Sequence, residues 1–346
     1  MMVENGAEVF RPSWIDRFNS LVGRLPIRPW IFYTVLGTGL ILLQVLFLWL
    51  DSGTLAIELL PVIIFNGLAV PYLLALIRIL DQQALQGLES LKPVLKMSNK
   101  GYVVAKRKIS TMPFLAPLLA GLGMTAFAIL LPLISSEPAR YATLDHLSFF
   151  TFVYHIIDKS SAFLFGVVLY HTIRQLRLVN MINSNYVRIN IFQLRPVQAF
   201  SKLTASTALG LLVFYYGWMI INPELLADPA ILGISLLFTA LAILVFVWPL
   251  WSMHRLMVME KEQALIEIEL QFETLFKKFN DFVVEDNYAG AEKLNGTIMS
   301  LEIQYNKVNG IPTWPWRSET ARVVLTAVAL PVLLMILQFI VQQAIG

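Results

Sequence analysis

The sequence predicts an all-α, polytopic membrane protein with seven transmembrane helices and a cytoplasmic antiparallel helical hairpin between spans six and seven. Composition is the first observation: 57% of the 346 residues are hydrophobic, 14% are charged, and the mean hydropathy is +0.67. Soluble globular chains have roughly 45–50% apolar and about 25% charged residues. The second observation is seven stretches of about 20 mainly apolar residues, the length a bilayer demands, near 30–50, 57–77, 113–134, 148–170, 203–221, 230–251 and 323–345. The third is the placement of charge. With the amino terminus inside, 24 of the 26 Lys and Arg residues fall in inner segments, the bias that orients membrane proteins. Localisation therefore reads as the inner or plasma membrane, with the amino terminus cytoplasmic and the carboxyl terminus outside.

Residues 1–29 form a cytoplasmic amphipathic segment. Ser13 and Asp16 have capping-box spacing ahead of Trp14, Phe18, Leu21, Val22 and Leu25, with Arg17 and Arg24 on the other side, which suits a helix lying on the inner membrane surface or one docked onto protein. The polar start lacks the pattern of a cleavable signal, so the first span is expected to stay. Residues 30–251 form a six-span bundle. Outer turns carry acidic residues (Asp51 and Glu58; Glu137 and Asp145; Glu224 and Asp228), and three descending spans continue inward past Arg78, Arg174 and Arg255. After span two, Ile77, Leu80, Ala84, Leu88 and Leu91 keep a helical stripe until Pro93 disrupts it.

Residues 252–311 carry the sharpest periodicity. Leu265, Ile268, Phe272, Leu275 and Phe279 recur at steps of 3 and 4. After the break Glu285-Asp286-Asn287, Leu294, Ile298, Leu301 and Tyr305 repeat those steps. That is a coiled-coil-like seam on each of two helices, and a short polar connection makes them antiparallel. A second copy of the chain or a cytoplasmic protein is the partner such a hairpin would take. Residues 312–346 hold an interfacial break, Pro312 to Trp316, and the seventh span.

The fourth stretch has opposite charges at its centre, Asp158 and Lys159, with His155 one turn away. Each such charge costs about 2.5–3.5 kcal/mol at a helix centre, so the trio is a candidate intramembrane polar site. Shifting the span to 160–180 would instead leave the charges at the outer headgroups, and a structural ion pair is a third reading. The two charges leave the helix about 100° apart, which points each toward a separate partner. Gln44, Asn66, Gln338 and Gln342 are candidates for lining a pore or pocket, or for bonding helices together.

The net charge of +3 is dispersed among apolar stretches, so no nucleic-acid partner is expected. The absence of cysteine removes disulfides, thiol catalysis and iron–sulfur clusters. No His-Glu-x-x-His, Walker or Gly-x-Ser-x-Gly sequence occurs, so no enzyme, metal or cofactor is expected. Two functions remain: conducting or binding a small solute or ion, in the manner of a channel or transporter, or sensing and scaffolding through the hairpin.

In outline, seven spans with a cytoplasmic amino terminus and inward extensions resemble the insect odorant and gustatory receptors, a family of tetrameric ligand-gated cation channels. That family's last span carries Thr-Tyr, five hydrophobic residues, then Gln-Phe. Here Gln338-Phe339 follow Leu333 to Leu337, while Pro331-Val332 stand in the Thr-Tyr positions. Two of the four defining residues match.

Overall fold

The computed structural model describes residues 11–54, 56–131, 148–187, 191–192, 198–222, 229–316 and 318–345, without the side chains of 229–232, 330–332, 334–335 and 337–345. The acidic turns expected at Glu137, Asp145, Glu224 and Asp228, and the side chains of Gln338 and Gln342, lie outside the described residues.

Among the described residues the chain is all-helical, with extended pairing only at the isolated bridges Pro12–Pro113 and Leu95–Val187. The longer helices are α1 (Trp14–Arg24), α2 (Pro29–Ser52), α3 (Leu60–Leu91), α4 (Asn99–Ser110), α5 (Leu115–Leu130) and α6 (Phe149–Tyr186). After them come α7 (Ser201–Ile221), α8 (Pro229–Val284), α9 (Tyr288–Asn309) and α10 (Ser318–Ile345). Local chemistry sets their ends. Pro29 opens α2, and Gly53 closes it in the left-handed region at φ 69°, donating its N–H to the Trp49 carbonyl. The side chains of Ser98, Ser148 and Asn287 accept backbone N–H groups at the starts of α4, α6 and α9.

Among the described residues five helical stretches are long and apolar enough to cross a membrane: Pro29–Ser52, Ile57–Val94, Phe149–Tyr186, Ser201–Ile221 and Gly233–Val284. The predicted spans near 113–134 and 323–345 coincide with α5, a shorter apolar helix, and α10. Outward-facing apolar side chains, such as Val35, Leu42, Leu46 and Leu50 on α2 and Leu115, Leu119, Leu122 and Ile129 on α5, are exposed. Surfaces so apolar fit a lipid surround rather than water.

Helices α3 and α6 run parallel and in register. The Asn66 amide donates to the Tyr154 carbonyl, and fifteen residues further along α3 Asp81 meets His171 of α6. Close approach depends on glycine at two levels. A Cβ on Gly67 would sit 2.6 Å from the Ile41 side chain, and one on Gly166 would collide with the Ala120 carbonyl oxygen. Below Arg78 the stripe Ile77, Leu80, Ala84, Leu88 and Leu91 is fully buried in the largest apolar core, with Ile109, Met112, Val179 and Phe200.

Of the two placements open to α1, the structure shows docking on protein. Its capping box is present, but Ile15 and Val22 are buried in the main core. The Asp16 carboxylate also accepts the Met112 N–H at 2.9 Å, and Ser13 N–H donates to the Met112 carbonyl. The helix is docked on protein along one face, and only an edge bearing Leu21 stays exposed. Two hydrogen bonds with the Met112 backbone, one accepted by Asp16 and one donated by Ser13, hold it there, a tie that amphipathicity alone cannot reveal.

Candidate functional site: a cavity in the helix bundle

At the end of the bundle opposite the Arg78 and Arg174 levels, five helices part around a cavity of about 320 Å³. It extends from Leu131, Ile221 and Asn222, at the far ends of α5 and α7, down to Phe165 and Phe214. Its apolar wall is largely aromatic. Phe165 stacks on Phe214 at 4.7 Å, and Tyr215 on Phe238 at 4.9 Å, while the Tyr215 hydroxyl bonds to that of Ser235. The packing is braced by rings that hold one another, so the void between them is not filled by a simple rotation of one side chain.

The polar part of the wall comes chiefly from α6. His155, Asp158 and Lys159 all line the cavity, with Asn66 of α3 across from them. Asp158 and Lys159 are bonded to each other at 2.8 Å, each about one third exposed. Of the readings open to them, the two charges pair with each other and not with separate partners: their backbones diverge, but the four-carbon stem of lysine is long enough to swing the ammonium back onto its neighbour. Among the described residues neither charged group has a second polar partner, so lysine N–H groups and a carboxylate oxygen remain for whatever enters. His155 stays exposed and packs edge-on to Tyr154.

The two amides read as pore or pocket candidates part company. Gln44 is fully buried, and its amide donates to the Leu40 and Ile63 carbonyls while its carbonyl oxygen accepts from Asn66. It ties α2 to α3. Asn66 completes that tie, reaches α6 through Tyr154, and also lines the cavity.

A second polar cluster lies at the basic end. His171 Nε2 and Asp81 Oδ1 are 2.9 Å apart, and Gln175 donates to Asp81 and to the Ile109 carbonyl. Arg174 caps the Thr111 carbonyl. Among the described residues His171 Nδ1, Thr172 Oγ1, Gln175 Oε1 and Asp16 Oδ1 are buried without a partner, a concentration of unmet polar atoms that ordered water ordinarily satisfies. Sequence reasoning missed this pair. The available signal was His171 and Gln175 at i, i+4 on a face that otherwise packs inward.

Helix α9 folds back along the distal part of α8. Ile268, Leu301 and Val308 are buried between them, with Leu265, Phe272, Leu275 and Tyr305 packed around. Phe279, Leu294 and Ile298 are half-buried, so every seam residue named from the sequence is turned at least partly inward. Lys261 ties the two arms by donating to the Asn309 and Ile311 carbonyls. Where the chain turns toward α10, His254 stacks on Trp314 at 4.0 Å and Trp314 on Trp316 at 4.2 Å. Compared with known proteins, the chain matches no family model, no curated protein and no solved structure.

Proposed function

We propose that this is a multi-pass membrane protein that binds a small solute in the cavity between α3, α5, α6, α7 and α8 and reports its occupancy through α8. The observation that carries the reading is the cavity itself. At about 320 Å³ it falls within the size range of small-molecule sites, and its mix of aromatic wall and few polar groups is the usual composition of such sites. It is about twice the volume of an apolar cavity of about 150 Å³ that accepts benzene.

Depth supports an intramembrane site. Asn66 is nine residues into the apolar stretch 57–77, about 14 Å along a helix, and Asp158 is four residues, about 6 Å, beyond its partner level at Tyr154. Measured along α6 itself, Asp158 is eight residues, about 12 Å, below Phe150, whose N–H donates to Asp51 of the outer turn, so the charged pair lies about 12–20 Å below the outer end of a hydrocarbon layer about 30 Å thick. The basic residues set the orientation: the cavity mouth outside and the α8–α9 hairpin in the cytoplasm.

The sensing reading draws on continuity. Ile234 and Phe238 line the cavity, and the same unbroken helix continues to Val284. From residue 251 onward that is about 50 Å of rigid stalk. Ligand pressure on one end of α8 has a lever to act through. The test is a fragment screen by thermal shift on the detergent-solubilised protein and on Ala162→Leu, which fills the cavity from the α6 wall. Compounds that raise the melting temperature of the wild type and leave Ala162→Leu unmoved are expected. If every stabilising compound acts equally on both, the cavity is not the binding site.

A further inference from the structure

The geometry points to a net-neutral, zwitterionic ligand with an aromatic body, of the α-amino-acid type, as the occupant of this cavity. The inference rests on the cavity being the solute site. It follows from charge balance and from the unused bonding capacity of one ion pair.

Asp158 and Lys159 are the fully charged side chains in the cavity wall, and they cancel. A ligand bearing one net charge would leave that charge uncompensated at a level where unpaired charge is costly. A net-neutral ligand adds none. Among the described residues the pair makes no bond except to itself, so the lysine ammonium keeps spare donors and the carboxylate keeps spare acceptors on the cavity side. A ligand amine meets the second need and a ligand carboxylate the first, each as a charge-assisted hydrogen bond. A zwitterion thus turns one ion pair into a four-charge cycle with no change in net charge.

The remaining wall is suited to the rest of the molecule. Two turns down α6 from Asp158, Phe165 and Phe214 present stacked rings, and Phe65, Phe127 and Phe238 close the sides. A flat ring stacks or packs edge-on in such a wall. The volume admits a ring together with a three-carbon dipolar head.

The experiment measures binding by isothermal titration to the full chain in nanodiscs. The probes are L-phenylalanine and L-tryptophan, 2-phenylethylamine and tryptamine, the corresponding deaminated acids, and 2-phenylethanol. The same set is run on the double variant Asp158→Asn/Lys159→Met, which keeps the site neutral and so avoids stranding a charge. Wild type is expected to bind an amino acid at least about tenfold more tightly than either of its singly charged analogues, a difference worth about 1.4 kcal/mol. The double variant should lose that preference while holding 2-phenylethanol within about threefold, which also shows that it is folded. Equal affinity for amine and amino acid, or an amino-acid preference that survives in the double variant, overturns the zwitterion assignment and leaves the cavity reading standing. If no probe binds the wild type, both fall.

Discussion

The two ends of the bundle are built from the same apolar alphabet and differ in how completely they fill space. At the basic end, Ile77, Leu80, Leu88, Leu91, Ile109 and Met112 have almost no exposed surface, and α1 is bolted on through Asp16 and Ser13. At the other end, five helices surround about 320 Å³ that no described side chain occupies. Polar groups divide in the same way. Asp81, His171 and Gln175 bond to one another or to backbone inside a closed core, whereas Asp158 and Lys159 face open volume. The lesson is one of partition: one end supplies the stability that lets the other leave atoms out.

Substitutions can break that partition. Leu80→Ala is expected to have the largest effect, because it opens a hole in a core with no slack. Its cost should be about 2–5 kcal/mol, read as a large fall in melting temperature in detergent. Asp16→Ala comes next: it removes the N-cap partner of Ser13 and the acceptor of the Met112 N–H, costing about 1–2 kcal/mol. Protease sensitivity should then rise first around α1 and the α4–α5 junction. Ala162→Leu should cost least, within about 1 kcal/mol in either direction, because it grows into existing space. Solute binding should nevertheless be lost. If Ala162→Leu destabilised the protein as much as Leu80→Ala, the contrast between a packed and an open end would be wrong.

Much of the frame was legible in the sequence because it is periodic. The stripe from Ile77 to Leu91 and the seam residues from Leu265 to Tyr305 repeat at helical steps, and those side chains are turned inward. What escaped was non-local. Asp81 and His171 lie 90 positions apart, and nothing near either residue announces the other. The cavity has no sequence signature either, since it is a shortfall of volume shared by five helices. Asp158 and Lys159 were conspicuous as charges among apolar residues, but backbone direction misjudged their partners because flexible stems override it. For α1, amphipathicity identified an interfacial helix, and the tie from Asp16 to Met112 decided that one face rests on protein.

The cavity mouth and the α8–α9 hairpin are expected on opposite sides of a membrane, with the solute site outside. The chain has no cysteine, so single cysteines can report this directly. In intact cells, a membrane-impermeant thiol reagent should label Thr54→Cys, exposed in the turn after α2 at the cavity end of the bundle, and should spare Asn287→Cys, at the turn of the hairpin, until the membrane is opened. Labelling of Asn287→Cys in intact cells with Thr54→Cys protected would contradict the orientation, and labelling of both would contradict the separation itself.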